Sequence, residues 1–408
     1  MHIEKKLIMF GTGNIGRSFI GQLFSRGGYE VVFVDVDRRI IDEMNRRRSY
    51  RIVIKSNDSD DRTIDIDNVR AVDAHDGEAV ALELRTAAFA ATAVGKSALA
   101  SVFPTLARGL TLRARQDGSP PLDIILAENA RDAAGIARAV LADIAARSKE
   151  PMAPAGLVET SIGKMVPIMP DEIREKDPLL VHAEPYNTLI VDRTAFLTPL
   201  PDIPDLQPVD NIDAYVGRKL YMHNLGHAAA AYLGFAAHPD RRFIYEMLAD
   251  TAVRRQVRQC LLQSAVALSI EYRDVFAISD LVEHAFDLLH RFQNRALGDT
   301  VFRVGRDLRR KLDKTDRLVG AMLLAARHGL PFDAIASAAA AAFSFAARDE
   351  RGREAEDDAE VRAMASAHGI AYALETISGL SPAVPVESAV IDAVACAAKT
   401  PFAKPGVQ

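Results

Sequence analysis

The sequence predicts an α/β doubly wound N-terminal half followed by a predominantly helical C-terminal half. Three observations predict it. A short apolar run, Lys6–Phe10, breaks at once into a glycine-rich turn and a helical stretch; further apolar runs alternate with helical segments as far as Arg147; and from Asp210 onward helical periodicity persists without strand-like runs between. At 408 residues the chain exceeds what one core usually organises, so two domains are expected, 1–200 and 201–408. The boundary falls in Phe196–Pro208, whose four prolines can continue neither a helix nor a central strand.

Taken in order, Lys6–Phe10 is too short for a helix, and the turn Gly11–Gly16 leads into an amphipathic stretch to Ser25. Gly27 and Gly28 end that helix, and Glu30–Asp35 is a β-branched run suited to a buried parallel strand. The acidic stretch Asp58–Asp67 reads as a surface hairpin or loop. Ala88–Val94 and Leu122–Ala127 read as strands, with Ser97–Ala107 and Ala130–Arg147 as helices. In the second half, Ile212–Tyr232, Arg241–Leu268, Ser279–Phe292 and Asp333–Ala347 carry helical spacing, and the charged run Arg348–Glu360 reads as an exposed loop or helix end.

Composition excludes several classes. Hydrophobic residues at 49% and charged residues at 26% match a globular protein, and a net charge of −5 gives no global attraction to nucleic acid or an anionic membrane. Any anion site must be a local cluster. The two cysteines, Cys260 and Cys396, form no Cys-x-x-Cys, which argues against a disulfide framework or a structural metal. With no signal-peptide pattern and no 18-residue apolar run, the expected location is the cytoplasm, as a monomer or small homo-oligomer.

Glycines 11, 13 and 16 in Gly11-Thr12-Gly13-Asn14-Ile15-Gly16 match G-x-G-x-x-G, placed after a strand and opening a helix. The first permits the turn, the second lets the backbone approach a pyrophosphate, and the third allows helix and strand to pack closely. The helix N-terminus then faces the phosphates. Asp35, nineteen residues beyond Gly16, stands where an acid holds ribose hydroxyls, so NAD is the expected cofactor of a Rossmann domain. Arg38 and Arg39 could neutralise the 2′-phosphate of NADP, but beside Asp37 they read as solvated residues at a helix start.

The segment Arg218–His227 places several polar groups in an otherwise apolar helix. At the α-helical advance per residue, His223 lies about 40°, His227 about 80° and Asn224 about 140° from Lys219. On that broad face a lysine with lowered pKa could take an alcohol proton, an amide could donate to the developing alkoxide, and an imidazole could orient the hydroxyl. Spacing alone leaves a second reading open, in which Lys219 snorkels to a carboxylate and the imidazoles satisfy packing. Zinc held by His223 and His227 would need a third ligand that the sequence does not supply.

The motif Lys-x4-Asn-x2-His, here Lys219, Asn224 and His227, resembles the signature of the polyol-specific long-chain dehydrogenase/reductase family, and more closely its mannitol-1-phosphate 5-dehydrogenase branch. Phe10–Gly21, Thr92–Gly95, Ala127–Asn129, Gly156–Pro167, Lys219–Gly234 and Arg303–Leu318 are similar to that branch, in order along nearly the whole chain. The resemblance implies zinc-independent hydride transfer. Lys219 would be the base, Asn224 and Asn129 the oxyanion-stabilising amides, and His227 the substrate-orienting group. Val94 and Gly95 would line the nicotinamide, with Asn129 also close to the cofactor. Taken alone, Asn129 also reads as a helix cap, and Val94-Gly95 as a plain turn. The chain departs from the branch at Gly163-Lys164, where an acidic-basic pair is usual, and at His223, commonly an uncharged site.

Arg303–Lys311 puts five basic residues within nine positions, and such a cluster reads either as a solvated basic face or as an anion site. With the resemblance, Arg303, Arg306, Arg310 and Lys311 are expected to hold a phosphate. The expected reaction interconverts a hexitol phosphate and its ketose phosphate, mannitol 1-phosphate and fructose 6-phosphate. The alternatives are a dehydrogenase of an unphosphorylated polyol or aldonic acid, such as mannitol or mannonate, and a non-catalytic NAD-binding sensor.

Overall fold

The computed structural model describes residues 3–400 and 402, except 117, 130, 131, 168 and 170. The chain divides into two compact units, Met1–Tyr215 and Val216–Gln408.

The strands of the first unit are β1 (Glu4–Phe10), β2 (Glu30–Asp35), β3 (Tyr50–Ile54), β4 (Arg62–Ile66), β5 (Val69–Asp73), β6 (Ala87–Thr92), β7 (Leu122–Leu126), β8 (Ala155–Ser161), β9 (Val181–Ala183), β10 (Leu189–Asp192) and β11 (Leu206–Val209). Eight of them form one sheet in the order β11-β10-β8-β7-β6-β1-β2-β5. Strands β5, β2, β1, β6, β7 and β8 run parallel, while β10 runs antiparallel to β8. Chain direction across the sheet reverses between β1 and β6, the switch point where ligands bind at carboxyl ends of strands.

Both faces of this sheet are covered, which is why its strands read as unbroken apolar runs. Leu7, Met9, Val31 and Phe33 face one core with Phe19, Leu23, Ile41 and Met44; the last two belong to the helix that follows β2. Ile8, Phe10, Val32 and Val34 face the other. The helices are α1 (Gln22–Arg26), α2 (Arg38–Arg47), α3 (Gly77–Thr86), α4 (Lys96–Ala114), α5 (Ala133–Ser148), α6 (Asp171–Lys176) and α7 (Ile212–Arg218), and α3, α4 and α5 supply the second core. A smaller sheet, β4-β3-β9, contains a β3–β4 hairpin, so part of the acidic stretch is a strand.

Two expectations change here. The helix expected from Ala130 begins at Ala133, because Asp132, in left-handed conformation, caps it through Gly135 N–H; residues 130 and 131 lie outside the described set. The proline-rich connector ends in β11, which pairs with β10 at the sheet edge, where Pro208 needs no ladder partner on its open side.

The second unit continues with α8 (Leu225–Ala237), α9 (Ile244–Ala249), α10 (Thr251–Glu271), α11 (Ile278–Phe292), α12 (Val301–Gly305), α13 (Leu308–Lys311), α14 (Val319–Arg327), α15 (Asp333–Ala342), α16 (Glu356–His368), α17 (Ile370–Ser378) and α18 (Pro385–Lys399). The stretch Arg241–Leu268, expected as one helix, is broken at Asp250. That residue has extended backbone and caps α10, accepting the N–H groups of Ala252 and Val253. The helix expected to reach Ala347 ends at Ala342, and Glu356, Asp357 and Asp358 open α16 with acids that suit its dipole.

Two π turns interrupt helices, Gly16–Gly21 and Lys219–Asn224. Each exposes a carbonyl to a side-chain donor. Tyr50 Oη donates to Arg17 O at 2.7 Å, and Ser264 Oγ to Tyr221 O at 2.5 Å.

Candidate active site

In the first unit, the residues expected to hold a dinucleotide gather at the carboxyl ends of β1, β2, β6 and β7. Gly11 has φ +98°, and a Cβ there would lie 2.6 Å from Ala93 O. At Gly16 a Cβ would lie 2.1 Å from Gly11 O, so this glycine is the contact that lets helix and strand close. At Gly13 a Cβ would meet nothing within 4 Å. The backbone there borders open space, which fits a pyrophosphate over Asn14, Ile15 and the opening of the helix.

Asp35, partly buried at the end of β2, is tied to that turn. Its Oδ2 accepts the N–H and hydroxyl of Thr12, and its Oδ1 accepts the N–H groups of Val36 at 2.8 Å and Asp37 at 3.1 Å. Burial alone raises the Asp35 pKa, but these hydrogen bonds outweigh it and hold the carboxyl below its ordinary value. These four donors engage the acceptor sites of the carboxylate, so ribose hydroxyls would share or replace one of them, while its negative charge opposes a 2′-phosphate. Arg38 is taken up by Asp73 at 2.9 Å.

Val94 and Gly95 follow β6, and the N–H groups of both donate to the buried carboxylate of Glu128, at 3.0 and 2.9 Å. Glu128 therefore laces the end of β6 to the end of β7, one residue before Asn129. Asn129 is exposed, and the cap of α5 is Asp132.

In the second unit, Lys219 and Asn224 are the first and last residues of the π turn. A π turn closes i→i+5 rings and advances less per residue than an α-helix, so the angles expected for an α-helix do not hold here. Lys219 is partly exposed as a residue while its ammonium is enclosed; burial, then the Arg317 guanidinium, push it down to about 8. Asn224 makes no side-chain hydrogen bond among the described residues, which leaves its amide able to donate.

His227 stacks on Phe292, with ring centroids 4.8 Å apart and planes 6° apart. Its Nε2 lies 3.1 Å from Asp299 Oδ2, an ion-pair distance without the alignment of a hydrogen bond, and Asp299 also contacts Arg303. Burial, then Arg303, Arg317, Lys311 and Arg291, lower the His227 pKa to about 3, so the ring is neutral at ordinary pH. His223 is buried edge-on to the same Phe292 ring, and burial with Arg291 and His227 holds its pKa well below the usual value. Among the described residues, no group of three or more His, Cys, Asp or Glu could hold a metal ion.

The basic cluster is divided. Lys311 is buried with its ammonium on Arg306 O, and burial and Arg317 lower its pKa to about 7. Arg306 is exposed, 5.8 Å above the Phe302 ring. Arg310 is paired with Asp307 and Asp316, and Arg303 with Asp299. Gly163-Lys164 is structural in the first unit: Lys164 Nζ donates to Tyr186 O at 2.6 Å and Asn187 Oδ1 at 3.1 Å.

Sequence reasoning gave no role to Thr12, Glu128, Asp299 or Arg317. Glu128 offered a signal, an acid directly after an apolar strand run; Asp299 offered another, a lone acid four positions before Arg303.

The chain matches the family model of the mannitol dehydrogenase Rossmann domain over residues 5–205 and that of the mannitol dehydrogenase C-terminal domain over residues 211–400. Among solved structures it is similar to Pseudomonas fluorescens mannitol 2-dehydrogenase in ternary complex with NAD and D-mannitol, with 16% identity, TM-score 0.70, and coverage of 98% of this chain and 92% of that one. It is also similar to D-sorbitol dehydrogenase in substrate-free form, with 16% identity, TM-score 0.76, and coverage of 97% and 93%. At that identity the likeness is one of fold.

Proposed function

The chain belongs to the mannitol dehydrogenase family and is an NAD-dependent oxidoreductase of polyols, and from that premise we propose that its substrate pair is a hexitol phosphate and its ketose phosphate, mannitol 1-phosphate and fructose 6-phosphate. The observation that carries the chemistry is the π turn, whose first residue is an amine with pKa lowered to about 8 and whose last is an amide with no side-chain hydrogen bond among the described residues.

When bound, NAD supplies the hydride acceptor. Neutral Lys219 accepts the hydroxyl proton as the carbinol carbon gives up hydride, and the ammonium so formed offsets charge on the oxygen. Asn224 donates to the developing alkoxide, and Asn129 is assigned the second such amide. His227, neutral and fixed by Phe292, orients the hydroxyl. In the reverse direction, the Lys219 ammonium returns the proton to the ketose oxygen. The family resemblance assigns the NAD site to Gly11, Gly13, Asn14, Ile15, Gly16, Asp35, Val94 and Gly95.

Arg303, Arg306, Arg310 and Lys311 are proposed to hold the phosphate, since guanidinium forks match its oxygens. A second reading, an unphosphorylated polyol or aldonic acid, is favoured by the aspartates already paired with Arg303 and Arg310. Initial rates of NADH formation with mannitol, mannitol 1-phosphate, mannonate and arabinitol, and of NADH consumption with fructose 6-phosphate, test the choice. Preference for mannitol 1-phosphate supports the first reading, and preference for free mannitol or mannonate the second.

A further inference from the structure

Helices α10 and α11 enclose a groove of about 330 Å³ whose lining includes Arg254, Arg255, Arg258, Phe286, His290 and Gln293 and, among the described residues, contains no carboxylate. The acids nearest in sequence are engaged elsewhere. Asp250 caps α10 and holds His238 at 2.8 Å, and Asp287 faces Arg291.

The arginines are left uncompensated. Arg255 and Arg258 form no hydrogen bond or ion pair with any described residue, and Arg258 Nε is buried without a partner. Arg254 reaches only Leu248 O, at 3.4 Å. Arg254 and Arg258 are four apart on one helix, where like charges repel, and Arg254 lies in its first turn, where the macrodipole disfavours cations. A choice driven by stability alone would place acids there.

We infer that this groove is a binding site for the phosphoryl group of a small phosphorylated metabolite, separate from the residues assigned to turnover. A dianion there cancels the repulsion among the guanidiniums, accepts forked hydrogen bonds from Arg255 and Arg258, and supplies the missing acceptor for Arg258 Nε. Phe286, 52% exposed, and Leu289 form an apolar wall beside the charges, suited to the organic part of such a metabolite.

The test is calorimetric titration of inorganic pyrophosphate into the full chain, saturated with NADH so that the cofactor site is filled, in buffer with physiological salt. Arg255→Gln/Arg258→Gln is compared with Arg306→Gln/Arg310→Gln and the unaltered protein, each checked by circular dichroism. The expected result is saturable binding, weakened at least about tenfold by Arg255→Gln/Arg258→Gln and retained by the other variant; a tenfold change in affinity corresponds to about 1.4 kcal/mol. Absence of binding in the unaltered protein, or equal binding in Arg255→Gln/Arg258→Gln, overturns the inference. Should that double variant fail to fold, the exposed Arg255→Gln alone replaces it, with about threefold weakening expected and unchanged affinity overturning the site. None of these readouts depends on turnover, so the substrate assignment stands or falls separately.

Discussion

Asp35 Oδ2 accepts both the backbone N–H and the hydroxyl of Thr12, at 2.7 and 2.5 Å, so the acid at the end of β2 is locked to the glycine turn after β1. One residue pair thereby fixes the distance between the acid proposed for the ribose and the backbone proposed for the pyrophosphate. NAD is expected to be strongly preferred to NADP, and Asp35→Ala to narrow the ratio of kcat/KM values by at least about tenfold, the loss of one good charged hydrogen-bond acceptor. Thr12→Val, which removes one of the four donors that hold the carboxylate and leaves the three backbone N–H groups, is expected to raise KM for NAD modestly with a smaller change in the ratio. Equal efficiency of the unaltered protein with both cofactors defeats the assignment.

The second expectation concerns Lys219. Removing a general base costs about 10²–10⁴-fold in rate. Lys219→Ala should therefore lose at least about a hundredfold in turnover while NADH fluorescence titration shows unchanged cofactor affinity, since the assigned cofactor contacts belong to other residues. Near-normal turnover in this variant would return the lysine to a packing role.

The reading of the fold from sequence succeeded where periodicity is local and strong. Strands β1, β2, β6 and β7 each stood out as apolar runs because both faces of the sheet are buried. The break at Asp250 was not visible, since an aspartate within helical spacing signals a cap only when its side chain turns back on the next N–H groups. The π turns escaped for a similar reason. The extra residue in Lys219–Asn224 is accommodated by Ser264, 40 positions beyond Asn224 and on another helix, and no local pattern announces it. Candidate site residues emerged as polar intrusions in apolar segments, whereas Glu128 acts on a strand end far away in sequence and could be assigned only from three-dimensional proximity.

The acidity of Lys219 sets a pH dependence with a definite sign. Oxidation needs the neutral amine, so its rate should rise with pH through an ionisation near 8, while reduction, which needs the ammonium, should fall through the same range. Arg317 contributes to the lowering, so Arg317→Gln is expected to shift this ionisation upward, weakening oxidation at neutral pH more than at pH 9. A profile that moves downward, or not at all, excludes Arg317 as a neighbour of the base.

Chelation provides a further test. Polarising an alcohol oxygen is assigned to Lys219 and two amides, and His223 and His227 both pack on Phe292. Prolonged EDTA treatment should leave activity unchanged. Loss of activity that zinc alone restores would return the two histidines to candidacy as ligands.

Glu128 gives the last prediction. Its buried carboxylate accepts two consecutive backbone N–H groups, those of partly exposed Val94 and exposed Gly95, and both oxygens are used. Glu128→Gln keeps the shape but presents an amide NH2 to one of those N–H groups, leaving a partly exposed donor without its partner, at a cost near the low end of about 1–3 kcal/mol. If the loop after β6 contributes to the nicotinamide pocket, that disturbance should appear first as a raised KM for NAD and weaker NADH binding, because Gly95, with φ +87°, relies on these bonds to hold its turn. Glu128→Asp keeps the charge but withdraws the carboxylate by one methylene, so it should restore less than half of the lost affinity. An unchanged KM for NAD in Glu128→Gln, together with a lowered melting temperature, would show that the clamp supports the fold alone and that Val94 and Gly95 do not line the nicotinamide pocket.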